Sequence, residues 1–138
     1  MKIRTDFVTN SSSTNFVIIS SKDLEKEQFA KFLGFNKEGP LTRHIREAID
    51  GMFCSMTDAE DFAKDRYYAE VYADFETFAK KEFSKETYAK VLAARKEDKK
   101  IYYGRFSSDE PKFLCFLCCD NILIDRDDIY FDATECGW

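Results

Sequence analysis

The sequence predicts an α+β domain in which a small, mainly antiparallel sheet of about three to four strands packs with about four to five helices. Three observations lead there. The 138 residues match the size of one domain, long enough to bury about 70% of the surface that the unfolded chain exposes. Apolar residues make up 44% of the chain and aromatic ones 16%, with 14 Phe and 7 Tyr, so rings must fill much of the interior. Apolar residues recur at helical spacing through the middle of the chain, whereas short β-branched and aromatic runs lie toward both ends.

Residues Thr9 to Asn15 are all polar, of types that hydrogen-bond locally and favour turns. Residues 1–15 therefore read as a polar leader on a single domain spanning 1–138. Phe16-Val17-Ile18-Ile19 is short, apolar and largely β-branched, the pattern of a buried strand. Ser20 or Ser21 is placed to cap a first helix carrying Leu24, Gln28, Phe29, Phe32 and Leu33, and Gly34 offers a left-handed stop. After Gly39-Pro40, residues Leu41, Ile45, Ala48 and Ile49 predict a second helix that ends at Gly51, with Arg43, His44, Arg46 and Glu47 on its exposed face.

Thr57-Asp58-Ala59-Glu60 has the form of a capping box, with Thr57 as cap, opening a third helix. Its stripe of Phe62, Tyr68, Tyr72, Phe75, Phe78 and Ala79 leads to a break near Phe83, where Ser84 caps a further helix carrying Tyr88, Val91 and Leu92. Lys99 and Lys100 favour the end of that helix. Ile101 to Phe106 lacks a helical period and reads as a strand. The last strand is Ile129 to Ala133, with Ile129, Phe131 and Ala133 on one face and Tyr130 and Asp132 on the other. Phe113 to Cys119 is apolar all round and too short for its period to separate helix from strand; the cap, acids and proline of Ser107 to Pro111 tip residues 112–119 toward helix.

Acidic residues outnumber basic ones by 26 to 21, a net charge of −5, which opposes binding to nucleic acid and suits a protein partner with a basic groove. The five cysteines, at positions 54, 115, 118, 119 and 136, are odd in number and form no secreted-type disulfide framework. No apolar stretch reaches the roughly 18 residues of a membrane span, and no secretory signal opens the chain. The expectation is a cytoplasmic protein with reduced thiols and no membrane partner.

Cys115, Cys118 and Cys119 would share one face of a helix, within reach of a soft metal ion whose fourth ligand would be Cys54, Cys136 or His44. Phe116 and Leu117 in the gap favour the plainer reading, in which the thiols are small buried hydrophobes. A redox pair needs an accessible thiolate, which Phe113, Leu114 and Phe116 oppose.

Asp120, Asp125, Asp127, Asp128 and Asp132 fail the calcium-loop pattern, because Tyr130 stands where glycine is needed and Cys136 where glutamate is. A solvated turn between two strands accounts for them. His44 is the sole histidine, and nothing in sequence orients it toward Cys54, the nearest nucleophile. Arg43, His44 and Arg46 suit a phosphate, and equally the polar face of a helix. The five glycines form no phosphate cradle. No catalytic residue and no cofactor are assigned.

The opening Met1-Lys2-Ile3-Arg4-Thr5-Asp6-Phe7-Val8-Thr9-Asn10-Ser11-Ser12-Ser13-Thr14-Asn15-Phe16 resembles the start of many small, uncharacterised bacterial and phage proteins. They share an Ile-Arg, a Phe-Val, an Asn and a serine run before an apolar strand. The likeness covers 16 of 138 residues, and it implies bacterial or phage lineage. Thr14 and Asn15 interrupt a serine run that is often longer in that group. Asn10, Ser11, Ser12 and Ser13 are candidate contacts for a partner, since short polar tracts can fold on binding.

The leading expectation is a non-enzymatic protein–protein interaction domain, an inhibitor or anti-host factor, using Tyr and Phe as anchors. Its rival is a small-ligand- or metal-binding enzyme built on the cysteines or the acidic turn, which a cleft gathering those residues would favour.

Overall fold

Alternation along one strand decides the architecture. In β1 (Ser13–Ser20), Phe16 and Ile18 enter one apolar cluster while Val17 and Ile19 enter another, and all four are buried. A strand that is apolar on both faces must be covered on both. The computed structural model, which describes residues 13–35, 37–65, 70–107, 122–126 and 128–137, supplies that cover with α1 (Lys26–Phe32) and α2 (Thr42–Ser55) on one face. The other face carries α3 (Ala59–Lys64), α4 (Phe75–Glu82) and α5 (Lys85–Lys96).

The remaining strands are β2 (Thr57–Asp58), β3 (Lys100–Ser107), β4 (Ile122–Arg126) and β5 (Ile129–Gly137). They form a five-stranded sheet in the order β2-β3-β1-β5-β4, and every neighbouring pair is antiparallel. The α+β class stands, with five helices among the described residues and slightly more strands than the sequence predicts. The additional ones are β2, whose two residues are too few to show a period, and β4, which lies in the stretch read as a turn.

Strand β5 follows its predicted alternation, with Ile129, Phe131 and Ala133 in the first cluster and Tyr130 in the second. It runs on to Gly137 because β1 pairs with it as far as Ser13. That pairing also corrects the polar leader: Ser13, Thr14 and Asn15 are strand residues, opposite Ser107, Phe106 and Arg105 of β3. Gly104 faces Phe16 in the same register, and a Cβ there would lie 2.3 Å from the ring's Cζ. The Phe16 ring therefore lies across bare backbone, held edge-on to Phe131 at 6.3 Å.

Several helix ends differ from expectation. Neither Ser20 nor Ser21 caps α1; the N-cap position is Glu25, and Ser20 Oγ accepts the Lys22 N–H instead. Leu24 packs against the core from ahead of the helix, and Gln28 is exposed. The stop at Gly34 is as predicted. With φ at +95°, its N–H donates to the Lys31 carbonyl and that of Phe35 to the Ala30 carbonyl, both at 2.9 Å, a Schellman closure. Gly51 does not end α2, which continues to Ser55 because Met52 in the next turn is wholly buried. That burial outweighs the roughly 1 kcal/mol a helical glycine costs.

The cap of α3 is Asp58, not Thr57, since both residues belong to β2 and the Asp58 carboxylate accepts the N–H groups of Glu60 and Asp61. The aromatic stripe does not run along one helix: Phe62 belongs to α3, Phe75, Phe78 and Ala79 belong to α4, and Tyr72 lies between them. Asp74 caps α4 through Thr77 N–H at 2.7 Å, and after an extended Phe83, Ser84 caps α5 through Thr87 N–H at 3.2 Å. Helix α5 ends at Lys96, so Lys100 opens β3. Tyr68 and the segment 112–119 lie outside the described residues. Among the described residues, no helix is long and apolar enough to cross a membrane.

Candidate functional site

The short α1 and the longer α2 meet the sheet with their apolar stripes, Phe29 and Phe32 on one and Ile45, Ala48, Ile49 and Met52 on the other. Above those stripes the two helices diverge around an open groove of about 360 Å³. Its floor is apolar: Ala30, Phe35, Ile45 and Ile49. Phe35, thrown outward by the Gly34 turn, is 41% exposed. A large exposed aromatic ring lining an apolar groove is the kind of surface that proteins use to bind one another.

Ion pairs brace the groove. Lys26 of α1 meets Asp50 of α2 at 2.7 Å, and hydrogen bonding to that carboxylate raises the Lys26 ammonium above its usual range. Arg46 bridges to Glu38 in the connection between the helices, and Arg43 lies 3.0 Å from Glu47. All of these groups are solvent-facing, so each pair orients side chains more than it stabilises the fold.

On the opposite face lies a buried polar node. Thr87 of α5 is fully buried, and Tyr130 and Asp132 of β5 are 5% and 4% exposed. The Thr87 hydroxyl donates to Asp132 Oδ2 and lies 2.7 Å from the Tyr130 hydroxyl. A hydroxyl has one proton to give, so Tyr130 must be the donor to Thr87. Asp132 Oδ1 accepts from the Thr134 N–H at 2.9 Å and the Thr134 hydroxyl at 2.7 Å. Burial, reinforced by the Asp132 charge, holds the Tyr130 phenol above its ordinary range. Lys90 covers the ring at 5.7 Å and reaches Asp125 of β4 at 2.9 Å. The node lines neither the groove nor the hollow bounded by Asp58, Glu76, Arg95 and Lys99, and every buried side-chain polar atom among the described residues has a partner. It fastens α5 to the sheet.

The sequence-level candidates that fall among the described residues are not brought together. Cys115, Cys118 and Cys119 lie outside the described residues, as do Asn10, Ser11 and Ser12, while Ser13 is in β1. Cys54 is exposed near the end of α2. His44 is exposed on the same helix with Glu47 at 3.9 Å, and ten residues of helix, about 15 Å, separate it from Cys54. No dyad forms. Arg43 and Arg46 each face a carboxylate, so they are not assembled as a phosphate clamp.

The acidic stretch read as a solvated turn is split. Asp125 pairs with Lys90, Asp128 is exposed, and Asp132 is buried in the node because α5 covers that face of β5. Among the described residues, no group of three or more His, Cys, Asp or Glu is placed to hold a metal ion.

No protein family, curated protein or solved structure matches this chain. The groove was not among the sequence candidates. Its signal is present at the Gly34 stop, which leaves Phe35 just past a helix end with no period to bury it. Thr87 was missed for a related reason: it stands one turn ahead of Val91 on the core face, at a position where an apolar residue is the default.

Proposed function

We propose that this chain is a non-enzymatic protein-interaction domain and that the α1–α2 groove is its contact surface. One observation carries the reading: an apolar lining that includes the half-exposed ring of Phe35 lies open between two helices joined by the Lys26–Asp50 pair, with Arg46 held to Glu38. Interfaces concentrate binding in a few aromatic or aliphatic anchors seated in an apolar centre with a charged rim. The groove has that arrangement. The buried polar groups of the other face, by contrast, spend their hydrogen bonds on one another.

The test is quantitative affinity capture from bacterial lysate with the wild-type chain, Phe35→Asp and Ala30→Glu, after circular dichroism shows that all three are folded. A partner held by the wild type and lost at least about tenfold from both variants supports the reading, since a buried anchor carries that much binding energy. Equal retention by all three chains, or no retained protein alongside a small molecule that raises Tm, would overturn it.

A further inference from the structure

Resting on that interaction reading, we infer that the groove takes an acidic, amphipathic helix from a partner protein. The charge of the groove runs against that of the chain. The whole chain carries −5, yet the groove is lined by four basic residues, Lys26, Lys31, Lys37 and Arg46, against three acidic ones, Glu27, Glu38 and Asp50. Two of those cations are already used, Lys26 by Asp50 and Arg46 by Glu38.

Lys31 and Lys37 have no ion-pair partner among the described residues, and they flank Phe35 on either side of the Gly34 turn. The remaining carboxylate, Glu27, stands one turn ahead of Lys31 on α1, yet the two are not joined in an ion pair. The groove therefore combines an apolar lining with two lysines, Lys31 and Lys37, that are not held in ion pairs among the described residues.

A ligand that fits it needs apolar side chains to cover Phe35, Ile45 and Ile49 and carboxylates to reach Lys31 and Lys37. A helix supplies both, with apolar anchors at i, i+3, i+4 and i+7 and acids along the flanks. The walls favour that shape. Helices of 7 and 14 residues are about 10 and 21 Å long, and a third helix lies in the valley between two others by ridge-into-groove packing. A basic helix would set like charge against the two lysines, which discriminates against it.

A displayed library of random peptides about 16 residues long, long enough for four helical turns, tests this directly. It is selected on the wild-type chain, on the double variant Lys31→Glu/Lys37→Glu and on Phe35→Asp. Both lysines are exposed, so their reversal should leave the fold unchanged by circular dichroism.

Peptides enriched on the wild type should be net negative with helically spaced apolar residues. A synthetic representative should bind the double lysine variant at least about tenfold more weakly and lose affinity as salt is raised. Enriched peptides that are neutral or basic, but still lost on Phe35→Asp, would overturn the acidic partner and leave the groove reading standing. Peptides whose binding ignores Phe35→Asp, or the absence of any enriched peptide, would overturn both.

Discussion

The two faces of the sheet are covered by different means. On one, α1 and α2 lay an aliphatic and phenylalanine stripe over β1 and β5 and leave a groove above it. On the other, three helices cover the sheet, and the ring of Phe78 on α4 lies within 5.4–6.2 Å of Phe62, Tyr72, Phe75, Phe83 and Tyr103. The same face also holds the Tyr130–Thr87–Asp132 node. Both faces begin from equal alternation in β1, so the strand does not set the difference. The covering helices do: three pack a ring cluster and leave a hollow of about 700 Å³ lined mostly by charged side chains such as Glu60, Glu76, Arg95 and Lys96, whereas two leave a smaller groove of about 360 Å³ with an apolar lining.

The largest effect that tests this contrast is Phe78→Ala, which should cost about 3–5 kcal/mol by urea unfolding because the crowded rings cannot collapse into the gap. Phe29→Ala, under the more open helix pair, should cost less; equal losses would mean that the groove face is no more yielding. Gly104→Ala comes next, at about 1–3 kcal/mol, because its Cβ would meet the Phe16 ring. Combining it with Phe16→Leu should recover part of that loss in a double-mutant cycle, and simple additivity would show that the ring does not depend on the bare backbone.

Thr87→Val keeps the shape but strips Asp132 of one donor and Tyr130 of its acceptor, and should cost about 1–3 kcal/mol. A neutral result would mean that the node does not fasten α5 to the sheet. Tyr130 offers a pH test of the same node. Its phenol is raised in the folded chain, so the folded state holds the proton more tightly than the unfolded one. That contribution is complete below about pH 10 and is lost as pH rises through the folded value. Tyr130→Phe should therefore flatten the alkaline decline in unfolding free energy. Part of the decline should persist through Tyr88, whose phenol is raised by desolvation and by its bond to Glu76.

The smallest effect contrasts two helix ends. Helix α1 closes on Gly34, but α5 closes on Asp98 with φ at +55° and the equivalent pair of bonds, Asp98 N–H to Arg95 and Lys99 N–H to Ala94. A left-handed residue with a Cβ is strained, so Asp98→Gly should stabilise by up to about 1 kcal/mol in thermal unfolding.

Much of the fold was legible in sequence because its signals are local. The alternation of Ile129 to Ala133, the Gly34 stop and the Ser84 cap each depend on a few adjacent residues, and the structure retains all three. The errors have another character. Asp58 caps α3 in place of Thr57, α2 passes Gly51 for the sake of Met52, and Ser13 to Asn15 pair with β3 and β5. In each case a contact from far along the chain overrides a local preference.

The sequence by itself determined the α+β class, the two-sided burial of the central strand and the positions of most helices, since period and composition are properties of neighbouring residues. Only the tertiary structure decided that Asp132 is buried beside Thr87, 45 residues away, and that Lys31, Phe35 and Ile49 line one groove. Such placements depend on which elements pack together, and the energy that selects among packings is shared by the whole core.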